Sequence, residues 1–136
     1  MKHDISDIYL QVNGFFTKYA SAYLSEDEDL RRNTVLKRDH TLRVCSLSGK
    51  IAASLSLDGT DAGIAKLVAL LHDIGRFEQY KAYRTFSDLH SENHSAVGLR
   101  VIREHSLLSP LAEDARNLVL HAIELHNVQS LPGKLD

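Results

Sequence analysis

Apolar residues recur along this chain with a helical period almost from end to end. Ile8, Val12, Phe15, Phe16, Tyr19 and Tyr23 form one broad stripe, which predicts a first helix over Ile5 to Leu24, with Gly14 as its weak point. Ser25, followed by acidic residues, is a start signal, and a second helix is expected from there to about Leu55. Asp58-Gly59-Thr60 reads as a turn and cap before a third helix, Asp61 to Asp73, with Ile64, Leu67, Val68 and Leu71 inward. Gly75 fits the left-handed position just past its end. Residues 76–92 mix Phe77, Tyr80, Tyr83 and Phe86 with charges and read as a short helix and then a loop. Ser91 or Asn93 caps a helix to about His105. Ser109-Pro110 opens a last helix to about His126, carrying Leu118, Val119, Ala122, Ile123 and Leu125. Val and Ile are neither frequent nor alternated enough to build strands. The expectation is an all-α bundle of five to six helices.

Composition narrows this little but excludes a good deal. At 136 residues and 43% apolar, the chain reads as one domain with a real core. Two prolines and seven glycines argue against a loop-rich or all-β chain. A net charge of −2 with eight neutral histidines leaves no nucleic-acid patch. The acidic run Glu26-Asp27-Glu28-Asp29 reads as the exposed first turn of a helix. The single cysteine, Cys45, excludes an intramolecular disulfide, fits a reducing cytoplasm and reads as a small buried residue. Residues 1–20 carry no secretory pattern, and no stretch has the length of a membrane span.

The chemistry gathers at Ala69-Leu70-Leu71-His72-Asp73-Ile74-Gly75-Arg76, where an apolar helix ends in a His-Asp pair. Imidazole nitrogen and carboxylate oxygen suit a first-row divalent metal. Adjacent residues diverge by roughly 100° on a regular helix, so one ion takes both only where the backbone turns. A carboxylate at a helix C-terminus also calls for a compensating cation. His40 lies upstream; His94 and His126 lie downstream, each on an expected helix. His94 and Gly98 share a helical face, and the missing side chain at Gly98 lets another backbone come close. Arg76 is a candidate phosphate contact or a solvated charge, with Arg43 and Lys37 weaker candidates. His3, His90 and His105 read as surface residues and His121 as structural.

This constellation resembles the HD superfamily of metal-dependent phosphohydrolases. His40 in Arg38-Asp39-His40-Thr41-Leu42-Arg43-Val44 is similar to the family's first histidine. His72-Asp73-Ile74-Gly75-Arg76 is similar to its naming motif, His94-Ser95-Ala96-Val97-Gly98 to the His-x-x-x-Gly segment of its dinuclear branches, and Ala122-Ile123-Glu124-Leu125-His126-Asn127 to its later helix-borne histidine. The resemblance runs from about Leu36 to the C-terminus. It implies a single HD-type domain over residues 1–136, with His40, His72, Asp73, His94 and His126 as metal ligands and Asp73 and Arg76 as catalytic residues. It implies one or two divalent ions (Mn, Fe, Co, Ni, Mg or Zn) that activate water for attack on a small phosphorylated substrate, nucleotides included.

The family closes its site with an aspartate on a further helix, whereas this sequence runs only ten residues beyond His126. Asp136 follows a loop-like Leu131-Pro132-Gly133-Lys134 and is a poor substitute. The expectation is therefore a C-terminally shortened domain. Its site would be open on one side, the apolar faces of its first and last helices uncovered, its metal weakly held, and its copies inclined to self-associate. Two other readings stay open: a noncatalytic or regulatory HD module, and a diiron oxygenase of the inositol oxygenase type, which uses the same ligand constellation.

Overall fold

A computed structural model of the chain describes residues 4–126. Those residues form six helices and no strand: α1 Ile5–Ser21, α2 Glu28–Ser54, α3 Gly59–Leu71, α4 Gly75–Tyr83, α5 His94–Glu104 and α6 Glu113–His126. His3 and Asp136 lie outside the described residues.

Short polar side chains set most of the starts by accepting from otherwise free amides. Asp4 accepts from Ser6 N, Asp27 from Leu30 N, Asp58 from Asp61 N and Asn93 from Ala96 N. The second helix therefore begins at Glu28 and not at Ser25. Asp27 takes the cap position, and the Ser25 hydroxyl accepts from Asp27 N at 3.1 Å, shaping the turn before it. The first helix stops at Ser21, short of Leu24. The last helix begins at Glu113, because residues 105–110 are spent on turns, with Ser106 at φ 51°.

Gly75 is a correction of a different kind. It opens α4 and has no positive φ. A Cβ there would run into the His94 carbonyl oxygen and lie 2.6 Å from Gly98 N. Its hydrogen is needed for the close approach of α4 to α5, with Gly98 on the facing side, and not for a left-handed turn.

The core lies where α3 is enclosed by α1, α2 and α6. Ile8, Val12, Phe16 and Ala20 of α1 are buried with Leu67, Leu70 and Leu71 of α3 and Val119 and Ile123 of α6. Phe16 meets Phe77 of α4 edge-on at 5.8 Å, tying the first helix to the fourth. Cys45 is buried, as its helical setting predicts. Exposed apolar residues stand on α1 at Leu10 and on α6 at Leu118 and Leu125, in line with the expectation. A further uncovered apolar patch lies on the second half of α2 and its cap, where Leu47, Ile51 and Leu55 are each more than half exposed. At 27 residues α2 is about twice the length of α3, and α3 covers only one side of that half.

Candidate metal centre

Asp73 sits at a joint. α3 ends at Leu71, His72 continues in right-handed backbone as its cap, and α4 begins two residues after Asp73. Ile74 N bonds to Leu71 O at 3.2 Å and Arg76 N to Asp73 O at 2.9 Å, so the chain keeps turning through the break. The carboxylate thus stands at the C-terminus of α3 and the N-terminus of α4, and the positive end of α4 favours it.

The joint lets His72 and Asp73 converge, with Nε2 of His72 3.4 Å from Asp73 Oδ2. His40 reaches the same oxygen from α2 at 3.6 Å. The other oxygen, Oδ1, faces His94 Nε2 of α5 at 3.1 Å and His126 Nε2 of α6 at 3.6 Å. All five sequence-predicted ligands are therefore brought together around one buried carboxylate. They form two groups, His40–His72–Asp73 and Asp73–His94–His126, whose donor atoms lie within 4.8 Å of one another.

Three imidazoles are held from behind. His72 Nδ1 donates to Ala69 O at 2.7 Å, His126 Nδ1 to Ile123 O, and His94 Nδ1 to Asp88 Oδ2 at 2.9 Å. A carbonyl or carboxylate only accepts, so these Nδ1 atoms carry the hydrogens and the Nε2 lone pairs point inward. The Nε2 atoms of His94 and His126 come within 3.0 Å. Two lone pairs at that distance repel unless a proton or a cation lies between them or beside them. This donor set fits a divalent cation.

Burial works against the Asp73 carboxylate, but the imidazoles of His126, His94 and His72 around it outweigh burial and hold its pKa well below the usual carboxylate range. Burial pushes His72 down, against the pull of Asp73, and so favours the neutral ligand form. Burial also disfavours charge on His126, yet the neighbouring Asp73 carboxylate and the Ile123 carbonyl carry its pKa upward.

Arg76 is mostly buried and is not a free anion receptor. Its Nη1 is shared among Phe86 O at 2.6 Å, Gln79 Oε1 at 2.9 Å and Asp88 Oδ1 at 3.3 Å, while its Nε, 3.8 Å from Asp73, has no hydrogen-bond partner. Lys37, half-buried, stands over the Phe86 ring at 4.7 Å; burial lowers its pKa, and the charge of Asp73 opposes that. Arg43 is exposed.

The sequence reading missed Asp88 and Gln79. Gln79 is fully buried, and its amide donates to Asp88 Oδ1 at 2.9 Å, Ser91 Oγ at 3.0 Å and Glu92 O at 3.1 Å. Asp88 in turn also accepts from the His94 backbone amide at 3.2 Å. A neutral amide three residues after Arg76 on one helical face was the available signal for Gln79. Asp88, in a loop without period, offered none. His90 and His105 are exposed, as read. His121 is exposed too, 3.8 Å from Glu124, and so is not a core residue.

A family model described as "HD domain" matches residues 38–134. No curated protein and no solved structure gives a match. Among the described residues, no helix is long and apolar enough to cross a membrane.

Proposed function

This chain belongs to the HD domain family, and from that premise we propose that it is a metal-dependent phosphohydrolase acting on a phosphate ester, nucleotides included. The observation that carries the reading is the divided carboxylate, with one oxygen of Asp73 toward His40 and His72 and the other toward His94 and His126. His40, His72 and Asp73 would hold one divalent cation, and Asp73, His94 and His126 a second. Nitrogen and oxygen donors without a thiolate suit Mn, Fe, Co, Ni, Mg or Zn. When bound, such a cation supplies Lewis acidity and makes a water nucleophilic near neutral pH.

The chain's own residues do the rest. The imidazoles around Asp73 favour its ionised form. Asp88 keeps His94 in one tautomer and one orientation. Arg76 and Lys37 place positive charge on the flank of the site where a phosphoryl group carries negative charge.

The test begins with protein stripped by a chelator and reloaded with each of these metals. Phosphate release from a panel of nucleotides and phosphate esters is expected, without oxygen uptake, which separates it from the oxygenase reading. Asp73→Ala should abolish both metal retention, by elemental analysis, and release. Activity that survives both Asp73→Ala and chelation would overturn the proposal.

A further inference from the structure

One face of α2 changes character along its length. Lys37 comes first, then the ligand His40, then Val44, Leu47 with Ser48, and Ile51 with Ala52, at intervals of three to four residues. On α3 a matching apolar row, Ala65, Val68 and Ala69, leads to His72. The helices pack side by side, and the two rows, with Leu57, line an open groove of about 460 Å³ whose near end is formed by His72 and His126. That volume lies within the roughly 300–1,000 Å³ of small-molecule sites. From Val44 to Ile51 the groove runs about 10 Å along the helix.

Its lining is the informative part. Among the described residues the lining has no carboxylate, ammonium or guanidinium; the two imidazoles and the Ser48 hydroxyl are its polar side-chain groups. A sugar or a nucleobase edge seated here would leave water without replacing its hydrogen bonds. A hydrocarbon would gain from the same transfer. Cations stand on the other flank, at Lys37 and Arg76. The order of cation, metal ligands and apolar groove matches a molecule with a phosphate head and an apolar tail.

We propose that the groove between α2 and α3 seats the hydrocarbon part of the substrate, so that the centre acts on the phosphate ester of an apolar alcohol, alkyl or aryl. The word ester rests on the hydrolase reading above; the seating does not.

The probe is a series of n-alkylphosphonates from ethyl to octyl, whose P–C bond is not hydrolysed. Binding to the manganese-loaded full chain is read by calorimetry. Kd should fall about fourfold per added methylene until the groove is filled. Ile51→Asp, at a residue 58% exposed and so compatible with folding, should abolish this gradient and leave ethylphosphonate binding unchanged. Leu47→Asp should do the same. A flat series in the natural chain overturns the proposal. So does a dimer that Ile51→Asp dissociates, since the groove would then belong to a second copy. Phosphate release from the corresponding alkyl phosphates is measured separately. Release from ethyl phosphate with a flat phosphonate series keeps the hydrolase and removes the groove assignment. A steep series with no release from any ester does the reverse, leaving a ligand site and overturning the ester.

Discussion

The two halves of the candidate metal centre share Asp73 and differ in how they are held. On the Oδ1 side, the His94 side chain is 3% exposed, and its brace, Asp88, is itself gripped by Arg76 and Gln79. On the Oδ2 side, the His40 side chain is 40% exposed, and among the described residues no acceptor braces its Nδ1. His94 is positioned by a buried polar network; His40 relies on the stiffness of a long helix, beside a His72 held by the Ala69 carbonyl. The braced half should be sensitive to changes outside its ligands, and the open half should respond only to loss of the ligand itself.

The largest effect should come from Gly75→Ala. The added methyl meets backbone atoms of His94 and Gly98, which cannot step aside without moving α5. A loss of about 3 kcal/mol is expected in urea unfolding, the upper end for overpacking. A loss below about 1 kcal/mol would mean that the α4–α5 contact is looser than this and does not hold His94.

Asp88→Asn comes next. It keeps the shape of the brace and removes its charge, and about 10- to 100-fold weaker cation binding is expected at the His94–His126 position only. Competition against a chelating dye would resolve the two positions. Equal weakening of both would erase the distinction between the halves.

His40→Ala should cost one cation per chain by elemental analysis, with stability changed by about 0.5 kcal/mol or less, as is usual for an exposed position. His94→Ala should remove the other cation and destabilise more. Loss of both cations from either variant would mean that neither position fills alone.

The smallest effect lies away from both halves, where Arg84 pairs with Asp27 at 2.7 Å. The Arg84 hydrogen bond, with help from the Leu30 amide, holds the exposed Asp27 carboxyl down to about 2. Its folded pKa lies below the unfolded value of about 3.9, so the contribution is present above that pH and lost as pH falls through about 2. Arg84→Ala should therefore lower Tm slightly near neutral pH, with the gap to the natural chain closing between about pH 4 and pH 2. A gap that persists at the acid end would assign the effect to packing.

What could be read from the sequence followed from how local each signal is. The 3.6-residue period placed the helices, and Asn93, one of two residues read as a cap, does cap α5, whereas Asp58, read as part of a turn, caps an α3 that begins two residues before its expected start. His72 and Asp73 were legible because a helix end could be seen beside them. Gly75 was placed correctly for the wrong reason: a glycine after a helix is compatible with a left-handed turn or with a close neighbour, and only the position of α5 separates the two. Pro110 misled because a proline permitted at a first helical position does not require a helix to begin there. The Gln79–Asp88–Ser91 network stayed hidden because its contacts span nine and twelve residues across a loop with no period. Side chains that meet only through tertiary packing leave no repeat in the sequence.

One carboxylate facing two pairs of imidazoles also has a thermodynamic meaning. A cation drawn to Oδ2 withdraws electron density from Oδ1 and places a like charge a few ångströms from the neighbouring position. If both positions take a cation, they cannot fill independently. Whatever factor the first ion imposes on the affinity of the second, the second imposes on the first, because linkage is reciprocal. A titration of this chain should therefore yield two stepwise constants that belong to the pair, and the nominal one-ion form is a distribution over Asp73's two sides.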